Sequence, residues 1–137
     1  MIVVDTCVLS EPLRSAPSER VTHWLATHSA QICTTSITVA ELRYGVERLP
    51  PGARKTTLGE RIDAMFAQGI IVAHPFDAVA ARRYSLTRAA REAQGRPLAT
   101  EDGMIAAIAF SHGLALATRN TRDFDDLGVA VVNPWEG

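Results

Sequence analysis

Hydrophobic residues along the chain alternate between short β-branched runs and longer stretches in which they recur at three- and four-residue spacing. The run Ile2–Val4 is typical of a buried parallel strand, and later runs of the same kind predict further strands. Between these runs, the helical spacing predicts amphipathic helices that end near glycine or proline. The further strands are predicted at 31–35, 70–73, 114–117 and 129–132. The helices are predicted after Ser18, through Val39–Leu49, over Arg54–Ala67, from Asp77 to about Gln94 and from about Glu101.

The alternation of strands and helices indicates an α/β fold in which helices flank a mainly parallel sheet. The chain has 137 residues, of which 47% are hydrophobic and 21% charged, and this is the size and composition of one globular domain. No internal repeat, low-complexity tract or linker divides the sequence. We therefore expect a single domain over residues 1–137.

Two features of the sequence bear on the cellular compartment. Cys7 and Cys33 both adjoin apolar strand-like runs and are predicted to be free thiols, as is usual in a reducing cytosol. The N-terminus lacks the pattern of a secretory signal, and no apolar stretch approaches the ~18 residues of a membrane span. The sequence thus predicts a cytoplasmic protein with no membrane contact.

The charge of the chain bears on possible nucleic-acid binding. The net charge of −1 gives no overall attraction to nucleic acid, so any attraction to RNA must be local. All of the 14 basic residues except Lys55 are arginine, which suits bidentate contacts to phosphate and carboxylate groups. A codon bias of the source genome is the simpler explanation of the same excess.

Four acidic residues stand near the places where open parallel sheets bind ligands, beyond the carboxyl ends of the strands. Asp5 directly follows the first strand, Glu41 lies in the first turns of the helix after the second, and Asp123 lies in the loop after the fourth. Asp102 opens the helix just before the fourth strand, so its place depends on the direction of that helix. We call these four residues the acidic quartet and expect them to meet at one edge of the sheet.

Each member of the acidic quartet also has a purely structural explanation. Asp5 could form a local backbone turn, and Asp123 could cap one. Glu41 lies three residues after Thr38, which is the spacing of a helix capping box. Asp102 could serve only to complement a helix dipole. Singly these explanations suffice, but they do not account for four such positions together.

A cluster of carboxylates has a chemical consequence. Two carboxylates ~4 Å apart repel each other by about 4 kcal/mol at an effective dielectric constant of ~20, so the cluster favours a bound cation or the uptake of a proton. Oxygen ligands favour Mg²⁺ or Mn²⁺ over zinc. Such an ion polarises a phosphoryl oxygen and supplies a hydroxide that attacks phosphorus. The residues therefore predict a metal-assisted phosphodiesterase.

Four segments, each carrying one member of the acidic quartet, resemble the motifs of PIN-domain toxins of the VapC/FitB type. They occur in the same order with suitable gaps, and a fifth segment is similar to the ending of FitB-like members. The match therefore covers the whole chain. The segments are Ile2–Glu11, Ile37–Gly45, Asp102–Ala109, Ala117–Phe124 and Val132–Trp135.

The resemblance implies an endoribonuclease toxin of a type II toxin–antitoxin pair, which hydrolyses RNA with Mg²⁺ or Mn²⁺ bound by the acidic quartet. It implies supporting roles for Thr6, Thr118 and Asn120, which could orient carboxylates or bound water. It also implies a homodimer and a cognate, DNA-binding antitoxin. We expect an arginine of that antitoxin to enter the acidic site and compete with the metal.

The chain departs from the family pattern at one position and adds a carboxylate at another. Relatives usually have Asn where this chain has Cys7, so we expect altered hydrogen bonding around Asp5 rather than loss of activity. Glu101 adds a carboxylate beside Asp102. We expect Glu101 to face solvent, and its entry into the metal site stays an open alternative.

Other functions fit the sequence less well. A phosphatase of the haloacid dehalogenase type needs a second Asp two residues after Asp5, where this chain has Cys7. A receiver domain needs a suitably placed lysine, and Lys55 is badly placed. The histidines show no zinc-ligand spacing. The alternative from a different class is a weakly or non-catalytic PIN module that acts with a DNA-binding antitoxin in operator regulation.

Overall fold

The structure, a computed structural model, describes residues 1–136. In this part of the chain, five strands form one sheet and six α-helices pack around it. The strands are β1 (Ile2–Val4), β2 (Ile32–Thr35), β3 (Ala73–His74), β4 (Ala115–Ala117) and β5 (Val131–Val132). The helices are α1 (Thr6–Ser10), α2 (Glu19–Thr27), α3 (Ser36–Glu47), α4 (Ala53–Phe66), α5 (Ala78–Ala93) and α6 (Thr100–Ser111). Short 3₁₀ turns cover Glu11–Leu13, Ala67–Gly69 and Thr121–Phe124.

The sheet has the strand order β3-β2-β1-β4-β5, and all neighbouring strands are parallel. Strand β1 lies at the centre, where Val3 pairs with Cys33 of β2 on one side and with Leu116 of β4 on the other. All three residues are fully buried. This arrangement confirms the predicted α/β fold with a mainly parallel sheet.

The core lies on both faces of the sheet because successive side chains of a strand point to opposite sides. Val3 packs in a cluster with Ile105 of α6, whereas Val4 packs in a second cluster with Val21 of α2 and Ile62 of α4. Burying each of these side chains contributes ~1.5–3 kcal/mol of hydrophobic stabilisation. The two clusters hold the helices against the sheet and so fix the strand ends between them.

Two predicted helix starts are confirmed by their caps. The Ser18 hydroxyl accepts a hydrogen bond from the backbone N–H of Val21 at 3.4 Å, and α2 begins at the next residue. The Asp77 carboxylate accepts one from the N–H of Ala80 at 2.9 Å at the start of α5. Each cap satisfies an N–H group that has no partner inside the helix, a contribution of ~1 kcal/mol.

The third strand is shorter and later than the prediction of 70–73. Gln68 and Gly69 both have positive φ, which turns the chain after α4 and leaves Ile70 68% exposed. Pairing starts only where the carbonyl of Val72 accepts a hydrogen bond from Thr34. The last strand is also shorter than predicted, since it begins at Val131. Helix α1 and the 3₁₀ turn Thr121–Phe124 were not predicted.

Both cysteines are free, as predicted, with Cys33 fully buried on β2 in the same cluster as Val3 and Cys7 partly buried on α1. Across residues 1–136, the structure contains no helix with the length and apolar character that a bilayer crossing requires.

Candidate active site

The carboxyl ends of β1 and β4 meet at the point where the strand order reverses, which is where ligands bind in open α/β sheets. Strands β1 and β4 are in register through Val4 and Ala117, so the residues that follow them, Asp5 and Thr118, are neighbours. The backbone N–H of Asp5 donates a hydrogen bond to the carbonyl of Ala117 at 3.1 Å. The carboxylate of Asp5 and the buried hydroxyl of Thr118 therefore lie side by side in the crevice at this point.

Asp5 is 5% exposed and forms the N-cap of α1. Its Oδ1 accepts hydrogen bonds from the backbone N–H of Val8 at 3.1 Å and from the Cys7 thiol at 2.9 Å. Burial raises the pKa of Asp5, and the hydrogen bonds from Cys7 and Thr118 act in the opposite direction. The turn role considered for Asp5 is therefore real, but it leaves a buried carboxylate in the crevice.

Glu41 lies in α3 and accepts a hydrogen bond at Oε1 from the Thr6 hydroxyl at 2.5 Å. The capping-box explanation of Glu41 is wrong. Helix α3 starts three residues earlier than that box requires, and its N-cap is Thr35, whose hydroxyl accepts from the N–H of Thr38 at 3.1 Å. Because Thr6 directly follows Asp5, its bond ties the carboxylate of α3 to the end of β1.

Asp102 lies half-buried in the first turn of α6. Burial raises the pKa of its carboxyl to about 6, and the negative charges of Asp5 and Glu41 act in the same direction, followed by those of Asp123 and Glu101. All members of the acidic quartet are thus close enough for their charges to act on one group. The helix-dipole explanation does not account for this concentration of negative charge.

Asp123 is exposed and lies in the 3₁₀ turn after β4. The turn is held by Arg91 of α5, which is 4% exposed and donates to the carbonyls of Asp123 at 2.7 Å and Asp125 at 2.9 Å. The guanidinium also bonds to the Asp126 carboxylate at 3.0 Å. The sequence analysis did not identify Arg91 as a residue of the site. Its spacing from Ala80 could have indicated it, because that spacing places an arginine on the buried face of α5.

The remaining predicted site residues lie around the same strand ends. Thr118 is fully buried, and its hydroxyl accepts a hydrogen bond from the N–H of Asn120 at 3.2 Å. The carbonyl of Asn120 in turn accepts from the N–H of Asp123 at 3.0 Å. The Asn120 side chain is exposed and makes no hydrogen bond within residues 1–136. Thr118 thus shapes the turn that carries Asp123 through its hydroxyl, and Asn120 does so through its backbone.

Glu101 is exposed, as predicted. It lies on a groove of about 710 Å³ whose walls also include Glu41 and Tyr44. The Tyr44 side chain is 67% exposed there. Glu101 therefore adds negative charge at the edge of the crevice without being buried in it.

The donor chemistry of the crevice fits a hard divalent cation, because the acidic quartet offers only oxygen atoms. Within residues 1–136, no Arg, Lys or His side chain forms a hydrogen bond or an ion pair with a carboxylate of the quartet. Over the same residues, no three His, Cys, Asp or Glu side chains converge closely enough to enclose an ion in this conformation. The carboxylates of the crevice thus have no basic group among the described residues to neutralise them. They would bind an ion together with water molecules, as Mg²⁺ sites commonly do.

The parallel sheet and the acidic crevice at its topological reversal define an α/β protein with a carboxylate site. The sequence model of the PIN domain matches residues 2–130, and the chain therefore belongs to the PIN-domain family.

Two curated relatives match along nearly their whole lengths. The chain is 44% identical to Toxin FitB of Neisseria gonorrhoeae, covering 98% of this chain and 99% of that protein. It is 36% identical to VapC ribonuclease Y4jK of Sinorhizobium fredii, covering 99% of each. The predicted resemblance to VapC/FitB toxins is thereby confirmed.

Solved structures also show the similarity to FitB-type proteins. The FitAcB structure from Neisseria gonorrhoeae superposes with a TM-score of 0.90 at 41% identity and covers 100% of both chains. A structure of FitAB bound to an IR36 DNA fragment gives a TM-score of 0.89 at 40% identity, with 98% of this chain and 96% of that chain covered.

Proposed function

We propose that this protein is an endoribonuclease toxin that hydrolyses RNA phosphodiester bonds at the acidic quartet with Mg²⁺ or Mn²⁺. The observation that carries the proposal is that the carboxylates of Asp5 and Glu41 are held at the end of β1 by hydrogen bonds, with no basic side chain of residues 1–136 bonded to either of them. The raised pKa of Asp102, to which the charges of both contribute, supports a common crevice. Membership of the PIN-domain family and the ribonuclease named among the relatives support the choice of reaction. RNA is a cytoplasmic substrate, so we propose that the protein acts in the cytoplasm.

The chain's own residues would prepare the site by orienting its acidic groups. Hydrogen bonds at Oδ1 fix the rotamer of Asp5, and the Thr6 hydroxyl fixes Glu41 against the same strand end. Mg²⁺ or Mn²⁺ at this site would polarise a phosphoryl oxygen of the RNA and activate water for attack on phosphorus. Asp5, Glu41, Asp102 and Asp123 would hold the ion, with Asp123 at the exposed edge of the crevice.

RNA cleavage by the purified protein tests this proposal. We expect cleavage with Mg²⁺, none with EDTA and almost none in Asp5→Asn, which keeps the shape of the side chain but removes its charge. Asp63→Asn is the matched control, because Asp63 lies exposed on α4 in an ion pair with Arg43 and outside the crevice. Equal cleavage by wild type and Asp5→Asn would refute the catalytic role of the quartet.

We further propose a cognate antitoxin that binds DNA and inserts an arginine into the acidic crevice. The DNA-bound FitAB structure, to which this chain is similar, supports a partner of that kind. The crevice has negative charge without a basic partner, and a guanidinium would satisfy it through charge-assisted hydrogen bonds. Titration of Mn²⁺ against the toxin–antitoxin complex tests this, since an antitoxin that leaves metal affinity unchanged contradicts the mechanism.

A homodimer is the proposed assembly. Val79 and Leu86 lie seven residues apart on α5, and both side chains are more than half exposed. Residues at this spacing share one helix face, which supports an apolar contact with a second copy. Helix α4 gives less support, because Leu58 and Ile62 turn inward to the core. Light scattering that gives a monomeric mass would contradict the dimer.

The alternative is a weakly or non-catalytic PIN module that acts with a DNA-binding antitoxin in operator regulation. One observation favours it, namely that no three candidate ligand side chains within residues 1–136 converge on a metal-sized space in this conformation. Mn²⁺ binding by the isolated protein separates the two proposals. Tight binding that is lost in Asp102→Asn supports the enzyme, and no binding supports the module.

A further inference from the structure

Three adjoining pockets form a groove along the surface on both sides of the Thr6–Glu41 pair. On one side it opens towards Tyr44 and Glu101. In the middle, a pocket of about 270 Å³ contains Thr6, Glu41 and Arg14. On the other side, it widens into a pocket of about 680 Å³. The pockets share walls, because Thr6 and Glu41 line the first two and Arg14 lines the last two.

The third section of the groove is basic. We call it the basic arm, and it is lined by Arg14, Arg54 and Arg61 together with the hydroxyls of Ser15 and Thr57. No carboxylate lines this section. The basic arm therefore contrasts with the acidic crevice that it adjoins.

Two of the three guanidinium groups are not paired with a carboxylate in residues 1–136. Arg54 makes no side-chain hydrogen bond or ion pair within the part of the chain that the structure describes. Arg61 donates only to the neutral carbonyl of Pro12, at 2.7 Å. Arg14 is different, because both oxygens of the buried Glu11 accept from it at 3.1 and 3.2 Å. Arg54 and Arg61 thus supply the net charge of the arm.

The spacing of these two arginines suits a nucleic-acid strand. Arg54 and Arg61 lie seven residues apart on α4 and line the same side of the groove. At 1.5 Å per residue, this separation is about 10 Å along the helix. Stacked nucleotides rise by ~3.4 Å each along one strand, so about three nucleotides span the distance.

We propose that the basic arm binds the backbone phosphates of a single RNA strand whose reacting phosphodiester lies at the acidic quartet. This inference rests on the proposed ribonuclease function and adds the path of the substrate to it. A polyanion approaching an acidic crevice on a protein of net charge −1 needs a local positive surface. The basic arm is such a surface, and it adjoins the pocket that Glu41 lines, since Arg14 and Arg54 line both. Guanidinium groups bind phosphate oxygens in bidentate geometry, which fixes the register of the strand without reading its sequence.

RNA binding in EDTA tests the inference without any cleavage. The probe is a fluorescein-labelled single-stranded RNA of about 12 nucleotides, within the range that single-strand sites cover. We expect Arg54→Gln/Arg61→Gln to weaken binding roughly tenfold at low salt. The slope of log K against log salt, measured between about 50 and 200 mM, should fall by ~1.4, since each lost phosphate contact on a single strand removes ~0.7.

Three further variants separate loss of phosphate binding from other effects of substitution. Arg82→Gln is the matched control, because Arg82 is exposed on α5, which does not line the arm, and it should change neither affinity nor slope. Arg61→Lys keeps the charge and should retain most of the binding. Arg54→Gln alone removes a side chain without internal hydrogen bonds, so it should stay folded by circular dichroism and still lower the slope by ~0.7.

Wild-type affinity and slope in the double variant would overturn the inference. So would an unchanged RNA affinity together with weakened binding of an acidic poly-glutamate peptide, because the arm would then be a protein-docking surface. The experiments distinguish a failure of the ribonuclease proposal from a failure of the proposal for the basic arm. If RNA binds through the arm but is not cleaved with Mg²⁺, the nuclease proposal fails alone, and if cleavage occurs while the double variant binds normally, the arm fails alone.

Discussion

The Cys7 thiol donates a hydrogen bond to Oδ1 of Asp5, with 2.9 Å between the sulfur and the oxygen. Burial raises the pKa of the Cys7 thiol to about 12, and the charge of Asp5 and the hydrogen bond to it act in the same direction. The thiol therefore stays protonated at neutral pH and remains a donor. It orients one edge of the Asp5 carboxylate, which agrees with the expectation that Cys7 alters the hydrogen bonding around Asp5.

We predict that Cys7→Asn retains RNA cleavage within about threefold of wild type, because the Asn amide also donates to Asp5. Cys7→Ala removes the donor and should lower cleavage more than Cys7→Asn does. Initial rates at saturating Mg²⁺ measure both effects. A Cys7→Asn variant that cuts no faster than Asp5→Asn would show that the thiol has a role beyond hydrogen bonding.

Asp102→Asn should stabilise the metal-free protein at neutral pH. Because the folded-state pKa of Asp102 lies near 6, above the ordinary value of 3.8, its ionised form opposes folding. The penalty is present above pH 6, falls as the pH drops and is absent below about 3.8. After allowance for partial exposure, we expect a gain of about 1–2 kcal/mol at pH 7.5, or several degrees in Tm.

Thermal unfolding in EDTA at pH 7.5 and at pH 4 measures this effect, with Asp63→Asn as the exposed control. The two Tm differences should diverge for Asp102→Asn and stay equal for the control. An equal or lower Tm for Asp102→Asn at pH 7.5 would contradict the charge concentration assigned to the crevice.

Glu41→Gln separates charge from structure. Because Thr35 caps α3, Glu41 has no capping role to lose, and the Gln carbonyl can still accept from Thr6. We expect the free energy of unfolding in EDTA to change by less than about 1 kcal/mol and cleavage to be almost abolished. Denaturant titration and cleavage rates are the measurements.

Thr6→Ser should keep cleavage and Thr6→Val should impair it, because only Ser can still donate a hydrogen bond to Glu41. Equal cleavage rates in these two variants would rule out an orienting role for that hydrogen bond.

Arg91→Met should destabilise the protein and displace Asp123. It removes a buried guanidinium and leaves the carbonyls of Asp123 and Asp125 without their donor, at a cost of about 3–5 kcal/mol. Arg88→Met, on the exposed face of the same helix, should cost less than about 1 kcal/mol because it breaks only exposed contacts, the pair with Glu92 and a hydrogen bond to the Tyr84 hydroxyl. Urea titration measures both, and comparable losses in the two variants would refute the role of Arg91.

The fold was predictable where local pattern and burial agree. The run Ile2–Val4 is both β-branched and central in the sheet, so sequence and structure coincide there. Helix α1 has only five residues, too few for a helical period, and it depends on the cap that Asp5 supplies. Near Ile70 the apolar pattern indicated a strand, but the positive φ of Gln68 and Gly69 turns the chain away from the sheet first.

The positions of the candidate site residues were predictable, but the hydrogen bonds between them were not. Placement after strand ends identified Asp5 and Asp123, since the end of a parallel strand can be found from its pattern. The helix start near Glu41 was ambiguous, because Thr35 and Thr38 both suit an N-cap. The bond from Thr6 to Glu41 joins residues 35 positions apart, and such a contact is set by tertiary packing rather than by any local pattern.

The location of bound Mn²⁺ tests the central claim most directly. An anomalous difference map from crystals grown at a Mn²⁺ concentration that supports RNA cleavage would locate the ion. We predict a peak in the crevice at the ends of β1 and β4, contacted by carboxylate oxygens of Asp5 and Asp102 and completed by water. No peak in that crevice, or a peak only at residues outside the acidic quartet, would contradict the account.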